Sequence, residues 1–362
     1  MSKARRISII VILILLLGAY FIIPLIDNFD PKTPVQENEI ELANFNFPDD
    51  ITLKYGSTKT LSFSVKDKSV SKIELLLSDN LIQSWSSPTG KITFELNSSK
   101  LVLGAQEIKI NIFSKNQLVS EDSRLIRVLS DVKPQQLTAK VVSLIPHNSL
   151  HFTQGLEFYQ NELFEGTGQY NESKVLKMDL TSGNIKKSVA IDPTCFGEGI
   201  TIFNDKLYQI TWKEQKCFIY NVNTLELEKT INYVGEGWGL CNDGKNIIMS
   251  DGSERIYFRN PNTFEITKTI EIYDNIGPKI NLNELEYIDG KIYANVWQEN
   301  YILVIDPTIG KIERVINCAS IIAQARGTGE VLNGIAYNKN TKKLYFTGKN
   351  WIKIAEVVLK EK

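Results

Sequence analysis

The chain has 362 residues, 43% hydrophobic and 23% charged, a globular composition that fills a sizeable core and is too long for one ordinary domain. A formal charge of −1 gives no electrostatic reason to expect a nucleic-acid partner. Only two histidines occur, His147 and His151, and Cys195, Cys217, Cys241 and Cys318 show no CxxC spacing, which argues against a zinc site built from His and Cys.

In chain order, the first element is a membrane anchor over residues 1–26. Lys3, Arg5 and Arg6 precede Ile7 to Ile26, which carries no charge; at about 1.5 Å per helical residue that run spans about 30 Å, a bilayer core. The basic end stays cytoplasmic, so the chain after Asp27 is expected to be exported. A cleaved signal peptide is the rival reading, although no convincing A-x-A site follows. Residues 27–50, with Pro31, Pro34 and Pro48 among polar residues, read as a linker.

Residues 51–132 contain seven short alternating runs, "ITLKY", "LSFSV", "KIELLL", "LIQSW", "KITFEL", "EIKINIF" and "SRLIRVL", separated by turn residues. That rhythm predicts an immunoglobulin-like β-sandwich acting as spacer or docking module.

Residues 135–362 repeat themselves. The units open "QGLEFYQNELFEGTG", "EGITIFNDKLYQITW", "WGLCNDGKNIIMSDG", "NELEYIDGKIYANVW" and "NGIAYNKNTKKLYFTG". Each opening is an apolar strand, an Asn/Asp/Gly turn and a second strand, and the first four units continue through two more strands. Four strands per unit at about 40–50 residues is the blade of a β-propeller. The fifth unit has three strands, and "AKVVSLIP" (Ala139 to Pro146) is expected to supply its outer strand. The fold class is therefore all-β: a five-bladed propeller after a sandwich and a transmembrane helix.

The first strand of each blade lines the central channel. Aligning the five openings puts Gln154, Glu198, Trp238, Asn283 and Asn333 in register at its mouth, none of them aliphatic. Trp212 and Trp297 fall at matching positions on second strands, with Lys349 near that position in the fifth unit. Glycines on both sides of Glu198 let the backbone pass where strands crowd. A carboxylate with an amide, an ammonium and several tryptophans describes a small-molecule pocket. Cys195 and Cys217 read as structural, with no histidine in their units to activate a thiolate; His147 and His151 flank the first blade at its rim.

The fragments "HFTQGLEF", "FEGTGQYNESKVLKMDL", "FGEGITIFNDKLYQITWK", "GEGWGL", "LNELEYIDGKIYANVW", "LNGIAYN" and "FTGKNW", in that order, resemble the plant-type glutaminyl-peptide cyclotransferases, from about Val141 to Leu359. The resemblance implies a five-bladed propeller that converts the N-terminal glutamine of peptides or proteins to pyroglutamate with loss of ammonia, without metal or cofactor. It implies catalytic roles for Glu198 (FGEG), Asn283 (NELE) and Lys349 (TGK). It implies substrate binding by Phe152, Gln154, Trp212, Trp238 and Trp297. A monomer is expected. Two rival readings remain, a non-catalytic exported propeller that binds a peptide or protein partner and a metal-dependent propeller hydrolase. The second would gather several acidic spokes, and this ring has one.

Overall fold

The computed structural model describes residues 41–361. The expected membrane helix and most of the linker lie outside the described residues. Among the described residues no helix is long and apolar enough to cross a membrane.

Eight strands come first: β1 (Ala43–Phe45), β2 (Asp50–Lys54), β3 (Thr58–Val65), β4 (Val70–Leu77), β5 (Asn80–Ser86), β6 (Gly90–Asn97), β7 (Gly104–Ser114) and β8 (Gln117–Leu129). They form a three-stranded sheet, β1-β3-β6, and a five-stranded sheet, β2-β8-β7-β4-β5. Alternation sets the arrangement. In the middle of β7 every second residue is isoleucine, and Ile108, Ile110 and Ile112 are all fully buried, the mark of a strand with one face on a core. Phe63 of one sheet meets Trp85 of the other edge-on at 5.1 Å. All seven expected strands are present. The linker expected over 27–50 ends sooner, because Ala43 and Phe45 are buried and β1 joins the sandwich. Three residues are too few for a period of two to be read.

Five groups of four strands follow, three of them separate sheets and two joined in one eight-stranded sheet. The first holds β10 (Thr153–Tyr159), β11 (Glu162–Thr167), β12 (Lys174–Met178) and β13 (Ile185–Ala190). The second holds β14 (Gly197–Phe203), β15 (Lys206–Thr211), β16 (Lys216–Asn221) and β17 (Leu227–Asn232). The third holds β18 (Leu240–Asn242), β19 (Ile247–Ser250), β20 (Arg255–Arg259) and β21 (Ile266–Glu271). The fourth holds β22 (Leu282–Ile288), β23 (Lys291–Val296), β24 (Tyr301–Ile305) and β25 (Ile312–Asn317). In the fifth, β26 (Leu332–Asn338), β27 (Lys343–Gly348) and β28 (Lys353–Glu361) are completed by β9 (Gln135–Pro146), which runs antiparallel to β28. The first strands touch in sequence, β10 on β14, β14 on β18, β18 on β22, β22 on β26 and β26 back on β10. The ring is closed.

Two features depart from the sequence expectation. β9 begins at Gln135, and its leading residues pair in parallel with β25 from Arg314↔Gln135 to Asn317↔Thr138, so the fourth and fifth sheets run on as one. A single α-helix among the described elements, α1 (Ala319–Ala325), stands among the strands of the ring; it buries Ile321 and Ala325 in a cluster with Leu332 and Trp351. The sandwich packs on the ring through the Ser130 amide, which donates to the Asp274 carbonyl, and through Lys311, ion-paired with Asp131 at 2.6 Å.

Candidate active site

At the start of the first strand the ladder with the second strand slips in four of the five sheets. The irregularities fall between Thr153 and Gly155, Gly197 and Ile200, Leu282 and Leu285, and Leu332 and Ile335. The residues skipped include Gln154, Glu198, Asn283 and Asn333. A bulge of this kind frees a residue from its ladder and re-aims its side chain. It turns four of the five aligned residues out of sheet pairing. The fifth, Trp238, precedes β18, and its carbonyl accepts the Gly199 amide at 2.8 Å.

The glycines beside Glu198 are spatially required. A Cβ on Gly199 would lie 2.5 Å from the Leu240 amide nitrogen of the next sheet, and one on Gly197 would lie 2.8 Å from the Thr167 carbonyl oxygen of the previous one. Only glycine fits where neighbouring backbones come so near.

One cavity of about 410 Å³ is lined by all eight residues singled out in the sequence: Phe152, Gln154, Glu198, Trp212, Trp238, Asn283, Trp297 and Lys349. Trp212, Trp297 and Lys349 each stand one residue past the end of a second strand. Gln169, Phe196 and Glu330 complete the lining. Phe196 was legible, since it stands two residues before Glu198 just as Phe152 stands two before Gln154. Gln169 and Glu330 lie in loops with no repeat signal. Asn333 does not line the cavity; its Nδ2 donates to Gln154 Oε1 at 3.1 Å and to the Thr153 carbonyl at 2.9 Å, which orients Gln154.

The walls are aromatic. Trp238 and Trp297 meet at 5.9 Å with perpendicular rings, and Phe196 bridges Phe152 and Trp212 edge-on. Glu236 Oε2 accepts the indole N–H of both Trp212 (2.8 Å) and Trp238 (3.3 Å), which fixes two walls from behind. Among the polar groups, Asn283 Oδ1 is buried without a partner. Glu198 and Lys349 are each 5% exposed. Burial pushes the Glu198 carboxyl well above the usual carboxylate range; the Lys349 ammonium opposes this, and the charges of Glu214 and Glu236 add to it. Burial pushes the Lys349 ammonium down, against the pull of Glu198 and Glu330. Both shifts favour the uncharged forms.

The two histidines are not at the cavity rim, as expected from sequence, but buried behind it. They converge with Glu165, the three bringing ligand-type atoms within 4.8 Å of one another. Both ring nitrogens of His147 are engaged within the protein, Nδ1 with the Trp351 carbonyl at 2.8 Å and Nε2 with the Glu165 carboxyl at 3.0 Å. All four cysteines are buried and free, so no disulfide joins them. Burial raises the thiols of Cys195, Cys217, Cys241 and Cys318, which suits inert core residues.

A closed ring of β-sheets whose axial mouth gathers one carboxyl, amides and an ammonium inside aromatic walls defines a class of small-pocket enzyme. The family model described as Glutamine cyclotransferase matches residues 110–359, and the chain belongs to that family. It is 36% identical over 228 residues to the glutaminyl-peptide cyclotransferase of Arabidopsis thaliana, across 61% of this chain and 71% of that protein. The crystal structure of Myxococcus xanthus glutaminyl cyclase superposes with a TM-score of 0.60 at 32% identity, covering 64% of this chain and all of that one. The family match starts inside β7, earlier than the Val141 read from motifs, and so takes in the end of β7 and all of β8.

Proposed function

We propose that the chain is a glutaminyl-peptide cyclotransferase that closes the N-terminal glutamine of a peptide or protein into pyroglutamate and releases ammonia. We read its five sheets as the blades of a propeller (135–362) and the eight-stranded unit before it as an immunoglobulin-like spacer. The observation that carries the reading is the convergence of the eight residues on one cavity in a chain of this family.

In the reaction the α-amine nitrogen attacks the side-chain carboxamide carbon, a C–N bond forms, and the bond to the amide nitrogen breaks as ammonia departs. Nucleophile and electrophile belong to one residue, so the first task is to hold the bent conformer. Trp212, Trp238 and Trp297 enclose the aliphatic stem and keep water away. Asn283 Oδ1, buried with no partner within the protein, accepts a hydrogen from the amine or carboxamide. Glu198 takes a proton from the attacking amine and returns it to the leaving nitrogen. Its raised pKa suits transfer in both directions, since a group that exchanges protons works best near the ambient pH. Gln154 and Lys349 supply donors for the developing oxyanion, where one good donor is worth about 2.7–4 kcal/mol. No step calls for a metal.

The deciding experiment incubates the purified soluble chain with a Gln-initiated peptide and follows loss of ammonia by mass spectrometry; an α-acetylated peptide is the control and must not react. A chain that binds the peptide without converting it would be the non-catalytic partner-binding module instead. We further propose a monomer, exported and held at the membrane through residues 1–26, which cell fractionation tests.

A further inference from the structure

Both histidines of the chain meet on one carboxylate. His147 Nε2 lies 3.0 Å from Glu165 Oε1, His151 Nδ1 lies 2.8 Å from Oε2, and Thr153 Oγ1 donates to Oε1 at 2.6 Å. The other nitrogen of His147, Nδ1, lies 2.8 Å from the Trp351 carbonyl. A carbonyl and an ionised carboxylate both only accept, so with Glu165 ionised these two contacts call for a hydrogen on each nitrogen of His147, an imidazolium. The side chains of His147 and Glu165 are 0% exposed. A charge pair so far from water persists only where its remaining hydrogen-bonding capacity is met, as it is here. Burial alone would raise the Glu165 carboxyl, but the charge and hydrogen bond of His147, then those of His151, hold it well below the usual range. Burial would likewise lower His147, and Glu165 and the Trp351 carbonyl overcome it and raise it.

The cluster sits on the seam where the ring closes. His147 follows β9, the outer strand of the fifth sheet; His151 and Thr153 lead into β10 of the first; Glu165 is on β11. Across the seam the turn after β27 is held by the same segment. The His147 amide donates to the Ile352 carbonyl at 3.0 Å, and the Asn350 amide donates to the His151 carbonyl at 2.8 Å. Asn350 Nδ2 donates to the Ser149 carbonyl at 2.9 Å. This turn carries Lys349, and the residue between His151 and Thr153 is Phe152. Two cavity residues from opposite sides of the seam thus hang on one buried ion pair. The titratable groups that face His147 are Glu165 and His151, both from the first-sheet side. The fifth-sheet turn offers the Trp351 carbonyl, and the Lys349 ammonium points over the Phe152 ring instead.

We propose that Glu165, ionised and paired with His147, is a positioning residue for the cyclotransferase reaction: it touches no substrate but fixes Lys349 against Phe152 across the ring closure. This rests on the function proposed above. Misplacing a reacting group by about 1 Å is enough to slow a reaction about a hundredfold.

The test combines two readouts. With only two histidines, a ¹⁵N-histidine-labelled sample resolves both rings by NMR, and at pH 7 His147 is expected to carry hydrogens on both nitrogens. Glu165→Gln keeps the shape and removes the charge; kcat is expected to fall about 10- to 100-fold with KM changed less than about threefold. Thr153→Val removes the hydroxyl's contacts with Glu165 and with the Gly348 carbonyl (3.4 Å) but no charge, and its smaller fall in kcat carries the test if Glu165→Gln does not fold. A neutral His147 at pH 7, a stoichiometric zinc ion in the purified chain, or a folded variant with wild-type kcat would each overturn the proposal. A wild-type chain that never cyclises the peptide sinks the proposed function instead, while the histidine spectrum, read without substrate, still decides the ion pair.

Discussion

Lys349 carries its ammonium 4.7 Å above the centre of the Phe152 ring in the cavity, with Lys349 buried and Phe152 half-buried. A cation held over an aromatic face is stabilised by about 0.5–2 kcal/mol, more when desolvated. Phe152→Leu keeps the apolar volume and removes that face. We expect kcat/KM on a Gln-initiated peptide to fall about 3- to 30-fold, the range those energies convert to, and steady-state kinetics measure it directly.

Glu198→Gln tests the proton carrier. General acid–base help contributes about 10²–10⁴-fold, and kcat is expected to fall by that order. The fold should not suffer. The native carboxyl titrates above its unfolded value, so its burial favours the protonated form, and stability is lost as pH rises from the unfolded pKa through the raised native one. The amide mimics the protonated form, so the variant should melt at or above the wild-type temperature at alkaline pH. Near-normal turnover would remove Glu198 from the mechanism.

Glu236 acts on the site in two ways, bracing Trp212 and Trp238 and adding a negative charge that raises Glu198. Glu236→Gln retains an oxygen for the two indoles and removes the charge. Removing a negative neighbour lowers the Glu198 pKa, so the acid limb of the kcat/KM profile is expected to move to lower pH with KM little changed. An unmoved limb would mean that Glu198 does not set it.

Deeper in the ring, burial pushes the Glu157 carboxyl up to about 7, against hydrogen bonds from Thr201 and the Ile202 amide. Glu286, raised by burial and then by the charge of Glu157, lies near it. An unfolded carboxyl titrates at about 4.3. Through the window from there to about 7 the native state keeps a proton that the unfolded chain has released, so stability falls as pH rises and levels off above it. Urea unfolding across that window should show the slope, and Glu157→Gln should lessen it, the remainder coming from Glu198, Glu284 and Glu286, which burial also raises. A wild-type stability that rises with pH in this range would contradict the assignment.

The cavity lining contains two carboxyl side chains, Glu198 and Glu330, and no histidine or cysteine. That donor set is poor for zinc, which takes His, Cys and carboxylate together. EDTA or phenanthroline is therefore expected to leave turnover unchanged; inhibition reversed by added zinc would count against the proposed mechanism.

Much of this site was legible because the repeat copies its opening five times. The register that aligned Gln154, Glu198, Trp238, Asn283 and Asn333 is a register of backbone positions, and backbone positions around an axis converge. Sequence did not reveal the slipped ladders, since a bulge is a matter of pairing between two strands and leaves the residue pattern of each unchanged. Phe196 was in plain view through its offset from Glu198. Glu330 and Gln169 come from loops whose course no periodicity fixes. The meeting of His147 and His151 on Glu165 depends on three elements coming together at the seam, which no local rule anticipates. The parallel pairing of β9 with β25 escaped notice for the same reason.

That shared strand decides where the polypeptide tolerates being cut. β9 lies against β28 on one edge and β25 on the other, yet precedes every other strand of the ring in the chain. Proteolysis or truncation between Pro146 and His151 would strip both neighbours at once and leave two bare edges, each a template for joining a second molecule. A minimal catalytic fragment must therefore retain Gln135 onward, and a shorter one should be recovered as exchanged dimers or aggregates rather than as a working enzyme.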